Sequence, residues 1–223
     1  MEIALSDICS YDILPRQYAL PLRFLNFIAH STVVVLGIYT RPQKFFVQLT
    51  NLTNIVSFVF SSIVLCSTIK NKQQPSKNSK SAFIAQWAVQ TSLPMHIVAT
   101  IVFWLFIAKS ANVSHGWPDY VYLTTAHGVT LFLTFLDMLF MRVEFQRKSV
   151  FGVWAFMSTY LIIIIIVFKL TGFAVYHFLD TKQSNWGGIG GCVVMTIVNN
   201  ELILQLVRFG RKLIRYEQKL INA

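Results

Sequence analysis

Apolar residues gather into six runs of about 20 residues each, the length needed to cross some 30 Å of hydrocarbon. They cover 21–39, 46–69, 83–108, 120–141, 151–171 and 186–206. The pattern predicts an all-α fold, a polytopic membrane bundle of six transmembrane helices. A short N-terminal segment (1–18) precedes the transmembrane domain (19–207), and a basic tail (208–223) follows it. The fifth run is the plainest, with Leu161-Ile-Ile-Ile-Ile-Ile-Val167 inside it. Pro15, Pro21 and Arg23 crowd the start of the first, and Pro94 is expected to bend the third. The early residues carry Glu2, Asp7 and Asp12 with no basic cluster, unlike a signal peptide. The polar stretch 71–80 reads as a loop.

Composition supports a membrane chain. Apolar residues make up 55% and charged residues only 13%, where a soluble domain has about a quarter charged. The net charge of +10 would suit nucleic acid, but the basic residues sort by side. Fourteen of the 19 Lys and Arg fall on the side of the N-terminus and five on the other. That bias places both termini in the cytoplasm, or in the matrix of a mitochondrion. It explains the charge with membrane lipids as partners and no nucleic acid. The tail from Arg208 to Lys219 reads as an amphipathic extension on anionic headgroups. Tyr39, Trp117, Tyr120, Tyr122, Tyr176 and Trp186 fall near the outer boundary, as an aromatic belt should.

Cys9, Cys66 and Cys192 are widely spaced and fit no metal pattern. No helix carries two histidines for an axial haem pair, so no metal or other cofactor is expected. Gly187 and Gly191 read as close helix packing rather than a phosphate loop.

Polar residues inside the spans carry more information, because each is costly in hydrocarbon. Thr50, Asn54, Ser57 and Ser61 share one face of the second span. His127, Thr130, Thr134 and Asp137 share one face of the fourth. The third offers Gln86, Gln90 and His96, and the sixth Thr196, Asn199, Asn200 and Glu201. These stripes should face the bundle interior, where hydrogen bonding between helices is the plain alternative to chemistry. His30 and His96 read as structural, and Asp137 and Glu201 call for partners on other groups. Thr50 lies roughly 6 Å below the outer boundary and His127 roughly 10 Å, at 1.5 Å per residue. A hydroxyl and an imidazole at similar depth suit attack on an ester, with Thr50 as nucleophile and His127 as base. Thr53 is the next candidate nucleophile, one turn deeper. Asn51 and Asn54 are candidate oxyanion donors, and with Thr130 the candidate substrate-binding residues.

Three segments carry a family resemblance. Gln48-Leu-Thr50-Asn51 resembles the Leu-Thr motif of the androgen-induced protein family, which includes the androgen-dependent coagulation-inhibitor regulator and is related to the rolling stone proteins. The segment from His127 through Asp137 resembles the one that holds the family's catalytic histidine. Thr171-Gly-Phe-Ala-Val-Tyr176 resembles its Gly-x-x-x-Tyr segment, with His177 where the family has proline. The resemblance implies threonine-type hydrolysis of fatty-acid esters of hydroxy fatty acids, with Thr50 as nucleophile and His127 as base. A fold can also persist without its reaction. The alternative role is therefore a structural supernumerary subunit in a larger membrane assembly.

The expected location is the endoplasmic reticulum or plasma membrane, with the mitochondrial inner membrane as alternative. Asn112-Val-Ser114 is an acceptor sequon on the outer side. In the secretory pathway Asn112 is expected to carry a glycan, read as a mobility shift that a glycosidase reverses. That result is incompatible with the mitochondrial inner membrane.

Overall fold

The computed structural model describes residues 14, 16–69, 80–108, 111, 113–140 and 149–172, and then 198, 201–202, 205–210 and 212–213. All regular elements among them are helical. α1 runs Arg16–Thr40. A 3₁₀ turn, Phe45–Val47, leads into α2, Leu49–Ile69. α3, Lys80–Val102, continues through a π-helical turn, Phe103–Ile107. α4, Trp117–Thr124, passes through a second π-helical turn, Thr125–Val129, into α5, Thr130–Phe140. α6 runs Ser149–Thr171. Pro21 and Pro94 both lie inside helices. Pro118 at the first turn of α4 replaces an N–H that would lack a helical partner there, and Gly116 before it takes a φ of 67°.

Four helices of the described residues are long and apolar enough to cross a membrane: Gln17–Thr40, Leu49–Cys66, Trp117–Phe140 and Phe151–Thr171. They match four of the expected spans. The third expected span is helical too, but its apolar part is confined to Thr91–Leu105. Most of the sixth span, the 71–79 loop, Asn112 and the Gly187–Gly191 stretch lie outside the described residues. So do Cys9, Cys192, most of the Thr171–Asp180 segment and the end of the tail, as do the side chains of Gln86 and Gln90.

Helix contacts close a ring. α2 packs between α1 and α3, and α5 packs against both α3 and α1. α6 lies outside that ring, against α3. Its apolar seam joins Met95, Val98 and Val102 of α3 to Val153, Met157, Tyr160 and Ile164. The rest of α6 is turned outward: Ile162, Ile165, Ile166 and Leu170 are exposed. In water such a surface would aggregate, whereas hydrocarbon solvates it. At the C-terminal end, Val198, Leu202, Leu206, Phe209 and Leu213 are likewise exposed at helical spacing. Glu201 is exposed there and accepts a 3.1 Å hydrogen bond from Gln205, so it does not face the bundle interior as the stripe reading expected.

The ring encloses polar groups. Every member of the two expected stripes on α2 and on the helices around His127 is buried. A third row comes from α1, where Arg23, Asn26 and His30 are each about 1% exposed. Arg23 thus lies inside the ring. Its guanidinium lies 3.9 Å from the Asp137 carboxylate and donates to Thr68. Asn26 adds a 3.3 Å hydrogen bond to Asp137. Asp137 thus finds its expected partner on another helix, which an ionised carboxylate in hydrocarbon requires.

Breaking a buried ion pair from one side leaves an uncompensated charge. Asp137→Leu is expected to lower stability by about 3–5 kcal/mol. The double variant Arg23→Met with Asp137→Leu should recover most of that loss, as read by thermal unfolding in detergent micelles.

Candidate active site

Above the Arg23–Asp137 pair the interior continues as a chain of hydrogen bonds. Thr134 bonds His30 Nε2 at 3.2 Å, and His30 Nδ1 bonds Asn54 Oδ1 at 2.9 Å. The Asn54 amide then donates to the Thr50 carbonyl at 2.8 Å. An amide oxygen only accepts, so His30 carries its hydrogen on Nδ1 and the Thr134 hydroxyl donates to Nε2. The chain ties α5, α1 and α2 together and holds the backbone at Thr50. Beside it, Ser57 Oγ lies 3.0 Å from His96 Nε2, and the His96 and His30 rings sit 5.2 Å apart.

At the other end of α2, Tyr122 donates to Asn51 Oδ1 at 2.6 Å, and the Asn51 amide donates to Gln48 at 3.2 Å. The Arg41 guanidinium lies over the Tyr122 ring, 5.2 Å from its centre, and 3.9 Å from the buried Asp119 carboxylate. Asp119 also accepts from the His115 backbone N–H at 2.8 Å. A cavity of about 370 Å³ opens here, lined by Tyr39, Arg41, Lys44, Ser114, His115 and Asp119 among others. Gly37 lets the chain close up beside it, since a Cβ there would stand 2.7 Å from the Phe45 ring and 3.0 Å from Tyr122.

His127 sits in the second π-helical turn, and the first π-helical turn holds it from across the bundle. Phe103 stacks on its ring at 3.7 Å with the planes 4° apart. Trp104 Nε1 donates to the His127 carbonyl at 3.1 Å. A π turn widens a helix by one residue and re-aims the side chains it carries, which is why such turns recur at functional sites. The ring is buried and its Nδ1 has no hydrogen-bond partner among the described residues.

A family model described as FAR-17a/AIG1-like protein matches residues 22–210. The chain belongs to the FAR-17a/AIG1-like family, the androgen-induced protein family. It is a helical membrane protein of that family. No curated protein and no solved structure matches it.

The two candidate residues, Thr50 and His127, are both buried, on elements that pack against each other. They share no hydrogen bond. Thr50 differs from most threonines inside the bundle among the described residues and shares an unbonded hydroxyl with Thr100. Thr40, Thr53, Thr68, Thr91 and Thr130 give their hydroxyls to carbonyls of their own helices, and Thr134 bonds His30. The Thr50 hydroxyl is bonded to none of the described residues. Thr53, the deeper candidate, donates to Leu49 at 2.9 Å. The Asn51 and Asn54 amides each already donate once, which leaves one N–H apiece for an oxyanion. Thr130 donates to Ala126 at 3.2 Å and retains only its acceptor capacity. Two pairings were missed in the sequence: Ser57 with His96, and Tyr122 with Asn51. Helical spacing put Ser57 and His96 on inward faces, but only packing set them at the same height.

Tyr122→Phe leaves Asn51 Oδ1 buried without its donor. A loss of about 1–3 kcal/mol in stability is expected, measured by thermal or denaturant unfolding.

Proposed function

We propose that this chain is a membrane-embedded lipid-ester hydrolase, in which Thr50 attacks the ester carbonyl and His127 takes its proton. One observation carries this reading: on two buried residues of adjoining elements, a threonine hydroxyl and an imidazole nitrogen have no hydrogen-bond partner among the described residues. A helix threonine commonly gives its hydroxyl to the i−4 carbonyl, and a nucleophile must not. The substrate class is the one that the resemblance implies, fatty-acid esters of hydroxy fatty acids. The acyl chains lie along the apolar helix surfaces, and the polar end reaches the cavity at Arg41 and Lys44. Thr50 Oγ bonds the carbonyl carbon as its proton passes to His127, and the proton goes on to the leaving alcohol. The reaction needs no metal. The chain crosses the membrane six times, with both termini in the cytoplasm, in the endoplasmic reticulum or plasma membrane.

Protein purified in detergent is expected to hydrolyse a long-chain fatty-acyl ester. Thr50→Ala and His127→Ala should each lower kcat/KM by about a hundredfold or more, the scale of a lost acid–base partner. Thr53→Ala should stay close to wild type. Activity that survives both Thr50→Ala and His127→Ala overturns these roles. Stoichiometric co-purifying partners with no activity would favour the structural-subunit role instead.

A further inference from the structure

We propose that His96, Thr100 and His127 enclose a bound water molecule inside the bundle. If the hydrolase reading above holds, this water frees the acyl group from Thr50. His96, Thr100 and Phe103 lie at i, i+4 and i+7 and so share one face in the helical run from α3 into its π turn. Phe103 stacks on His127 at 3.7 Å, which brings that imidazole over the same face. His127 also lies within electrostatic reach of His96. On this face three buried polar atoms have no hydrogen-bond partner among the described residues: His96 Nδ1, Thr100 Oγ1 and His127 Nδ1. The only other such atom, Asn26 Oδ1, belongs to the Arg23–Asp137 cluster.

The three groups complement one another. Ser57 has no other acceptor among the described residues, so its hydroxyl donates to His96 Nε2 and the His96 hydrogen sits on Nδ1. His96 therefore offers a donor. A neutral His127 whose Nδ1 is unprotonated offers an acceptor, as its role as base requires. Thr100 offers both, because its hydroxyl is not given to the His96 carbonyl one turn back. Buried water is held by two to four such groups, and leaving all three unsatisfied in a lipid-facing bundle would be unfavourable. His30 provides the contrast, since both its ring nitrogens are bonded to protein.

In the second half of the reaction, the water oxygen bonds the acyl carbon while a water proton passes to His127 Nδ1. The bond from that carbon to Thr50 Oγ then breaks, and His127 returns the proton to Oγ. The products are a free fatty acid and the original threonine. His96 and Thr100 act as positioning residues for the water.

Two measurements on the full-length protein in detergent test this. In radiolytic footprinting with H₂¹⁸O, bound water labels its neighbours, so His96 and His127 should be oxidised severalfold faster than the equally buried His30. Thr100→Val, nearly isosteric, should bring both toward the His30 rate. Equal rates for the three histidines in the wild-type protein overturn the water site, whatever the enzymology shows. The second measurement is pre-steady-state turnover of a chromogenic fatty-acyl ester. Thr100→Val should keep the burst and the acyl adduct on Thr50 while slowing steady-state release by about a hundredfold, the scale of a misplaced reactant. Burst and release falling together overturn the positioning role. No burst and no Thr50 adduct in any variant is the failure of the hydrolase reading, and it removes the deacylation role while the footprint still decides the water site.

Discussion

Hydrocarbon tolerates no unpaired polar group, and this constraint organises the molecule. The chain carries an arginine, an aspartate, three histidines and several amides and hydroxyls within its apolar stretches. Each must be satisfied by another helix or by its own backbone. Closing α1, α2, α3 and α5 into a ring is what achieves it. The Arg23–Asp137 pair fixes one end of the interior, and the Arg41–Asp119 pair fixes the other. Between them the Thr134–His30–Asn54–Thr50 chain spans three helices. Lipid drives no apolar surface together between such helices, so these bonds and close packing hold the ring.

A fully satisfied interior would be only a scaffold. Here the satisfied groups sit around a few that are not. His30 is bonded at both ring nitrogens and Asn54 holds the Thr50 carbonyl, while the Thr50 hydroxyl has no partner among the described residues. The two π-helical turns meet at His127 and fix its ring against Phe103 and its carbonyl on Trp104, leaving Nδ1 without a partner among the described residues. Rigid support around the candidate groups is what the proposed catalysis by positioned side chains demands. The same division separates the histidines: His30 is tied at both nitrogens, whereas His96 and His127 each keep one nitrogen without a partner among the described residues.

The Arg41 end of the ring joins this interior to the cavity. Arg41 over Tyr122, Tyr122 on Asn51, and Asn51 next to Thr50 form a continuous path from the cavity to the candidate nucleophile. Cation–ring stacking and the 3.9 Å ion pair let one arginine serve both the buried Asp119 and the cavity wall. α6 contributes an apolar seam, an outward isoleucine face and one hydrogen bond, from the Tyr160 hydroxyl to the Val47 carbonyl at 3.1 Å.

Four helical crossing segments and the two inward polar stripes, Thr50 to Ser61 and His127 to Asp137, were legible in the sequence, because burial in lipid imposes a 3.6-residue period that a single chain displays. The need of Asp137 for a partner was legible for the same reason. The identity of that partner, Arg23, was not, since position along one helix does not say what another helix sets beside it. Thr50 and Thr53 were also nearly equivalent as letters, and only the folded backbone gave the Thr53 hydroxyl to Leu49. The π turns left no mark in the hydrophobic period. Which polar groups pair and which stay available is decided by distances between helices, and those exist only once the ring has closed.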